Sequence, residues 1–345
     1  MNIQPTSSNP CVASTELKLF PWQVSAWQQI NNSRRQHRLH HAYLIGGIKG
    51  LGKLQFTCNL AQSLLCNKPL ANGMPCNVCQ SCHLFRIGNH PDLQCALPDP
   101  EKKSDDISID TIRDLSAFDG LVARFGNYKI LIITPAENLN RQAANSLLKT
   151  LEEPNSSTIL FLIAAAPERL LPTIKSRCYR LNFTSPTEAE AVNWLGSQIK
   201  ESSQTLTLAL RLTQGAPLAA LQLLQTNALQ QRQDAITAFL SLVDKKANPL
   251  TVAETWYNKD LTNFLNWTSS FIADLLRLQT KAINVRLENP DLTDVLRRYA
   301  NSFNEIQLHH LWSKIMTAQK QLQQSNVNPQ LLLETILIHW SELAL

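Results

Sequence analysis

The sequence predicts an α/β domain, a parallel sheet covered by helices, followed by a chain that is helical to its end. Three observations predict it. Between Phe20 and Phe183, five short apolar or β-branched runs alternate with longer stretches that carry apolar residues at helical spacing, the pattern of a sheet built from β-α-β units. The first run passes directly into a glycine-rich loop, and beyond Phe183 the strand signal vanishes.

The expected strands are Ala42 to Gly46, Asp92 to Leu97, Lys129 to Thr134, Thr158 to Ala165 and Tyr179 to Phe183. Between them Lys53 to Cys66, Ile109 to Arg124 and Glu137 to Glu153 are long enough for several helical turns. The polar, charged stretch Asp99 to Asp106, interrupted by Pro100, reads as an exposed loop. A boundary is expected at Thr184 to Pro186, because Thr187 and Glu190 are spaced for a capping box. Helices at about 187–199, 204–214 and 216–226 then make a small three-helix unit, punctuated by Gly215 and Pro217. The Gln-rich remainder is all helical. Leu308, Trp312, Ile315 and Leu322 lie roughly on one helical face, and Pro329 opens the apolar run Leu331 to Trp340. Periodicity alone leaves open whether these faces form an internal core or meet partner subunits. The division is therefore an N-terminal extension at 1–19, an α/β core at 20–184, a helical lid at 185–228 and a helical collar at 229–345.

With 345 residues, 44% apolar and 17% charged, the chain has material for two or three packed domains, which excludes disorder. Lys+Arg 32 against Asp+Glu 27 gives +5, a balance that permits contact with nucleic acid without requiring it. The first twenty residues carry no basic stretch followed by an apolar one, and no apolar run approaches the roughly 18 residues of a membrane span. The expectation is a soluble cytoplasmic protein.

In that setting a disulfide framework is not expected from eight cysteines. Cys11, Cys58, Cys95 and Cys178 are scattered and carry no evident signal. Cys66, Cys76, Cys79 and Cys82 fall together, the last three at C-x-x-C-x-x-C spacing. Four thiolates suit tetrahedral Zn²⁺ and leave it no open position, so the expected site is a structural zinc knuckle at 66–82. His83 and His90 compete for the place of Cys66, and an iron–sulfur cluster is the lesser alternative.

Gly47-Ile48-Lys49-Gly50-Leu51-Gly52-Lys53 fits G-x4-G-K at a strand-to-helix junction, where backbone N–H groups and a helix N-terminus can wrap a phosphate. The next position should carry the hydroxyl that coordinates Mg²⁺. It is Leu54. An acidic pair should end a later strand, yet Lys129 to Ile133 runs into Thr134-Pro135-Ala136. The nearest carboxylate, Glu137, is expected as a solvated residue at a helix start rather than a displaced metal ligand. Gly47, Gly50, Gly52 and Lys53 thus form a degenerate phosphate loop, in which Lys53 either holds an anion weakly or is a relic.

Four stretches together carry a resemblance. They are His41-Ala42-Tyr43-Leu44-Ile45; the cysteine knuckle followed by Asn89-His90-Pro91-Asp92; Asn145-Ser146-Leu147-Leu148-Lys149-Thr150-Leu151-Glu152-Glu153-Pro154; and Ser176-Arg177-Cys178. The chain resembles the bacterial DNA polymerase III clamp-loader subunits of the AAA+ class, most closely their delta-prime branch, over 20–226 and more loosely beyond. ATPase members of that class, such as gamma/tau, look like an Asp-Glu pair at the end of the third core strand, a hydroxyl after the loop lysine, a polar sensor near the end of the next strand and a lid arginine. Thr134 and Pro135, Leu54, Ala164 and Ala165, and Leu218 stand in those places. The resemblance therefore implies a subunit that does not hydrolyse ATP, with weak or no nucleotide binding at the degenerate loop. It also implies that Arg177 reaches across a subunit interface into a neighbour's ATP site, with gamma/tau and delta as partners in a hetero-pentameric ring joined through the collar. The ring would load the sliding clamp onto primer–template DNA at the replisome. Arg169 and Lys175 are expected as surface cations. A gamma/tau-like ATPase would need Glu137 to replace the acidic pair. A zinc-knuckle nucleic-acid binder would need a basic, aromatic stripe, and only Phe85 and Arg86 follow the cysteines.

Overall fold

The computed structural model describes residues 10–11, 18–99, 105–155, 157–280, 285–324 and 327–343. The chain divides into two compact units, Met1–Pro186 and Thr187–Leu345.

The first unit begins with a short 3-10 turn, Pro21–Gln23, and α1 (Val24–Arg35). It continues through β1 (Ala42–Gly46), α2 (Lys53–Leu65), α3 (Gln80–Arg86), β2 (Leu93–Ala96), α4 (Ile109–Asp119), β3 (Lys129–Ile133), α5 (Arg141–Glu152), β4 (Thr158–Ala164), the single turn α6 (Pro172–Lys175) and β5 (Tyr179–Asn182). The five strands lie in the order β2-β3-β4-β1-β5 and every pair is parallel. A parallel sheet needs helices on both faces, and its central strands therefore read as unbroken apolar runs; β1, β3 and β4 are buried at every residue. On one face Leu131, Ile133, Leu160 and Leu162 meet Ile112 and Leu115 of α4 and Leu147 and Leu151 of α5. Among the aromatic contacts, Tyr43 stacks on Phe161 at 5.5 Å, and Phe56 of α2 packs edge-on to Phe183 and to Trp27 of α1.

Each expected strand is present, with ends that move by one residue at most. The helices differ more, and the reasons are side chains. The expected helix 109–124 stops at Asp119, where the buried ammonium of Lys129 collects the carbonyls of Phe118, Asp119 and Leu121. The expected helix 137–153 is split. Ala136–Asn138 forms a 3-10 turn after Pro135, and α5 starts only after Asn140, whose side chain accepts the N–H of Ala143 at 2.8 Å. α1 and α3 carry no signal in the expectation. Cys11 and Cys58 form a disulfide across 47 positions, contrary to the expectation that bridges are absent and that these two cysteines are uninformative. The first ends in the N-terminal segment and the second in α2, so the pairing is a tertiary contact that spacing could not reveal. Of the expected loop 99–106, residues 100–104 lie outside the described residues, and Asp105 and Asp106 are exposed.

The second unit contains α7 (Glu188–Gln198), α8 (Ser203–Leu212), α9 (Pro217–Gln225), α10 (Ala228–Val243), α11 (Pro249–Gln279), α12 (Thr293–Ala300), α13 (Glu305–Gln324) and α14 (Pro329–Glu342). Thr187 and Glu190 form the capping box, with the Thr187 N–H donating to Glu190 at 3.0 Å. α7 to α9 close on their own small core of Leu195, Leu206, Leu210 and Ala220. α11 is broken at Asp260, which leaves helical geometry and accepts the Asn263 N–H at 3.0 Å as an internal cap. The remaining helices share a core centred on Phe239, Phe264, Phe271 and Trp340. Of the residues on that face, Leu308 and Ile315 lie in this core, but Trp312 is exposed and Leu311 takes its place. At least part of the collar periodicity therefore reports an internal core.

Candidate functional site

At the carboxyl edge of the sheet, where open parallel sheets bind ligands, the loop after β1 meets those after β3 and β4. Its glycines do what the sequence requires of them. Gly47 has φ 137° and Gly52 φ 76°, both favourable only without a side chain. A Cβ on Gly47 would also collide with the carbonyl oxygen of Phe183, and one on Gly52 would lie 2.6 Å from the ring of Phe20.

The loop is closed on itself. Lys53 is buried, and its ammonium donates to the carbonyl of Gly47 and, at 2.7 Å, to that of Ile48. Burial pushes its pKa down to about 8, against the pull of Glu137 and with the help of Lys49. From outside, Trp22 Nε1 donates to the Leu51 carbonyl at 3.0 Å, and the Gln23 amide donates to those of Leu51 and Gly52, each at 3.0 Å. Leu54 follows Lys53 in the first turn of α2 and offers no oxygen. Glu137 is not the solvated residue that was expected. Its Oε1 accepts the N–H groups of Ala165 at 2.8 Å and Ala166 at 3.3 Å, so it caps the end of β4. The cause is the 3-10 turn, which carries the carboxylate inward instead of out along a helix.

Arg177 follows α6. Its guanidinium donates to the Thr173 carbonyl at 3.0 Å and pairs with Glu152 of α5 at 2.6 Å, while 36% of the side chain stays open to solvent. The fork is thus held in place without being covered. Cys178 beside it is pushed up to about 12 by burial and is no nucleophile.

The four clustered cysteines converge. Cys66 is the residue that ends α2, Cys76 sits in the following loop, and Cys79 and Cys82 open α3. Their four sulfurs lie within 4.8 Å of one another, with Cys66 to Cys76 at 3.5 Å, Cys66 to Cys79 at 3.9 Å and Cys76 to Cys82 at 4.0 Å. Tetrahedral thiolates at about 2.3 Å from one ion would stand about 3.8 Å apart, so the set fits a metal ion. Backbone N–H groups point at the sulfurs: Cys76 N to Cys66, Cys79 N to Cys76 and Cys82 N to Cys79, at 3.3 to 3.5 Å. Backbone N–H groups, that of Val78 first, hold Cys76 down at about 6, whereas burial raises Cys66 and Cys82. Four thiolates there need a cation between them.

His83 and His90 stay outside the cluster. His83 is exposed. His90 is buried in a chain of bonds that fixes its tautomer. The Asp92 N–H donates to Nδ1 at 3.1 Å, Nε2 therefore donates to Ser81 Oγ at 2.9 Å, and Ser81 donates to the Leu65 carbonyl at 2.6 Å. Asp92 in turn accepts the N–H groups of Arg124 and Phe125, both at 2.8 Å. The Asn89-His90-Pro91-Asp92 stretch thus ties the cysteine cluster to the sheet edge, a role with no signature in its spacing.

Residues 22–187 match the family described as DNA polymerase III, delta subunit; residues 186–225 match DNA polymerase III subunit delta', AAA+ ATPase lid domain; and residues 226–342 match DNA polymerase III, delta subunit, C terminal. The DNA polymerase III subunit delta' of Pseudomonas aeruginosa is 34% identical over 94% of this chain and 98% of its own length. This chain belongs to the DNA polymerase III delta-prime family. The Escherichia coli delta' is 31% identical over 93% of this chain and 95% of its own, and the Bacillus subtilis delta' 31% over 90% and 94%.

For a delta-prime family member the sequence singled out Arg177, the four cysteines and the phosphate loop, and the fold brings the first of these against the Leu-Leu-Lys-Thr-Leu-Glu-Glu-Pro stretch through Glu152. Arg169 is exposed, as expected, whereas Lys175 is half-buried. What sequence reasoning missed are the partners: Glu152 for Arg177, Trp22 and Gln23 for the loop, and Ala165 for Glu137. All are pairings between distant elements.

Proposed function

We propose that this chain is the ATPase-inactive delta-prime subunit of a DNA polymerase III clamp loader. It works in the cytoplasm at the replisome, in a ring with gamma/tau and delta subunits joined through its collar. It holds its shape while neighbouring subunits bind and hydrolyse ATP, so that the ring loads a sliding clamp onto primer–template DNA. The observation that carries this reading is the phosphate loop, whose lysine is turned onto its own carbonyls and is followed by Leu54 where a metal-binding hydroxyl belongs. A gamma/tau-like ATPase would need Glu137 as a metal ligand, and the commitment of its Oε1 to two backbone amides argues against that. No described helix is long and apolar enough to cross a membrane.

Arg177 is the residue we assign to a neighbour's ATP site. Its charge is permanent, its planar fork is held by Thr173 and Glu152, and its exposure leaves it able to meet a phosphoryl group. Cys66, Cys76, Cys79 and Cys82 would hold a structural Zn²⁺, which supplies cross-linking rather than chemistry because four thiolates close its shell.

Reconstitution with gamma/tau and delta tests the assignment. Arg177→Ala should leave the assembled complex intact by size exclusion and lower its DNA-stimulated ATP hydrolysis, whereas an unchanged rate removes the role.

A further inference from the structure

The second unit holds a cavity of about 330 Å³, partly open to solvent, whose lining includes Arg211, Arg277, Arg286 and Glu288. Its volume lies at the lower end of small-molecule sites. Arg211 stands in the last turn of α8 and Arg277 in that of α11, where the carbonyl end of a helix favours a cation. That accounts for two of the arginines and gives no reason for Arg286, which lies on the irregular segment before Pro290.

One wall of the cavity is fixed. Asp274 of α11 is wholly buried; it accepts the backbone N–H groups of Glu288 at 3.1 Å and Asn289 at 2.8 Å, and it pairs with Arg277 at 2.7 Å. Arg277 reaches on to Glu288 at 2.6 Å. The buried Arg232 of α10 donates to the Asn289 side chain at 2.7 Å, so two helices hold the segment that carries Arg286 and Glu288. The other arginines are less committed. Arg211 Nε is buried, and Glu188 stands 3.5 Å from it without making it a hydrogen bond. Arg286 is exposed and makes no ion pair among the described residues. Neither Asp274 nor Glu188 lines the cavity, so the lining sets three guanidiniums against one carboxylate.

From this cluster we infer that the cavity binds a small phosphate-bearing anion of about the size of a diphosphate, held between Arg211 of α8 and the pair Arg277 and Arg286 at the end of α11. Guanidinium forks stay charged and meet phosphate oxygens two at a time. The positive excess of the lining is matched by a phosphate ester or a diphosphate, whereas a monocarboxylate would leave it partly unmet. A wall that is already fixed loses little freedom on binding, so more of the attraction survives as affinity. The helices α7 to α9 and the collar helices close on separate cores, and an anion gripped from both would stiffen the unit. The site is distinct from the phosphate loop, which belongs to the other unit.

Inorganic pyrophosphate, and citrate at matched ionic strength, are titrated calorimetrically into the wild-type full chain and into Arg211→Ala, Arg286→Ala and Lys53→Ala. Arg277 is left in place, because its removal would strand the buried Asp274. The result expected is that pyrophosphate binds wild type and Lys53→Ala alike at one site, and binds Arg211→Ala and Arg286→Ala at least about tenfold more weakly, the loss of one charge-assisted contact. No saturable binding by wild type, equal affinity in Arg286→Ala, or a loss confined to Lys53→Ala overturns the inference, the last by moving the anion to the phosphate loop. Citrate that binds as tightly as pyrophosphate overturns the ligand class. A second readout separates a lost contact from a loosened fold: without ligand, wild type and Arg286→Ala should melt at the same temperature, and pyrophosphate should raise only the former. An equal rise in both also overturns it.

Discussion

Arg177 illustrates what one residue contributes and what it borrows. Its charge and planar fork come with the residue type; its position comes from Thr173 and from Glu152. Arg177→Lys should therefore behave like Arg177→Ala in the reconstituted complex, because an ammonium cannot reproduce a two-pronged contact. Loss of a trans arginine costs roughly 10³–10⁵ in rate in other NTPases, so the activity dependent on that one site should fall by orders of magnitude, read as steady-state phosphate release. Glu152→Gln should lower it less while changing the stability of the isolated chain by under about 1 kcal/mol, since the pair is half exposed. Ser176-Arg177-Cys178 points to Arg177 only through the resemblance it carries, whereas the absent hydroxyl was legible directly in Leu54. The inward turn of Glu137 was not, because it depends on where one helix becomes a 3-10 turn.

At the scale of elements, the strands were legible almost to the residue because both faces of the sheet are buried and their runs are uninterrupted. Helix ends were less so. They are decided by single side chains such as Asn140 and Lys129, whose partners lie elsewhere in the fold. The cysteine cluster joins α2 to α3 and, through Ser81 and His90, to the segment before β2. Cys79→Ser should release about one equivalent of zinc per chain, measured by metal analysis, and lower the melting temperature of the first unit; unaltered metal content would overturn the ligand assignment. In the second unit Trp340 of α14 stacks on Phe239 of α10 at 4.2 Å and donates to its carbonyl at 2.7 Å. Trp340→Ala should cost about 3–5 kcal/mol in chemical denaturation, the usual penalty for emptying an aromatic site in a core.

Across the whole molecule, the sequence announced an α/β unit followed by helices, and the division falls between Pro186 and Thr187, beside the capping box that marked it. The Cys11–Cys58 bridge and the core-facing Leu311 were hidden because both depend on which segments meet. Ile306, Trp312 and Leu331 remain exposed on α13 and α14, so the collar has apolar side chains to spare beyond its own core. On the function proposed above, neighbouring subunits would hydrolyse ATP while this chain would supply Arg177 and a closed phosphate loop. The most direct test is steady-state hydrolysis of labelled ATP, with Mg²⁺ and primed DNA, by the purified chain alone and after assembly with gamma/tau and delta. The account predicts no turnover by the chain alone and, on assembly, a DNA-stimulated rate indifferent to Lys53→Ala. Repeated turnover by the isolated chain, abolished by Lys53→Ala, would contradict it.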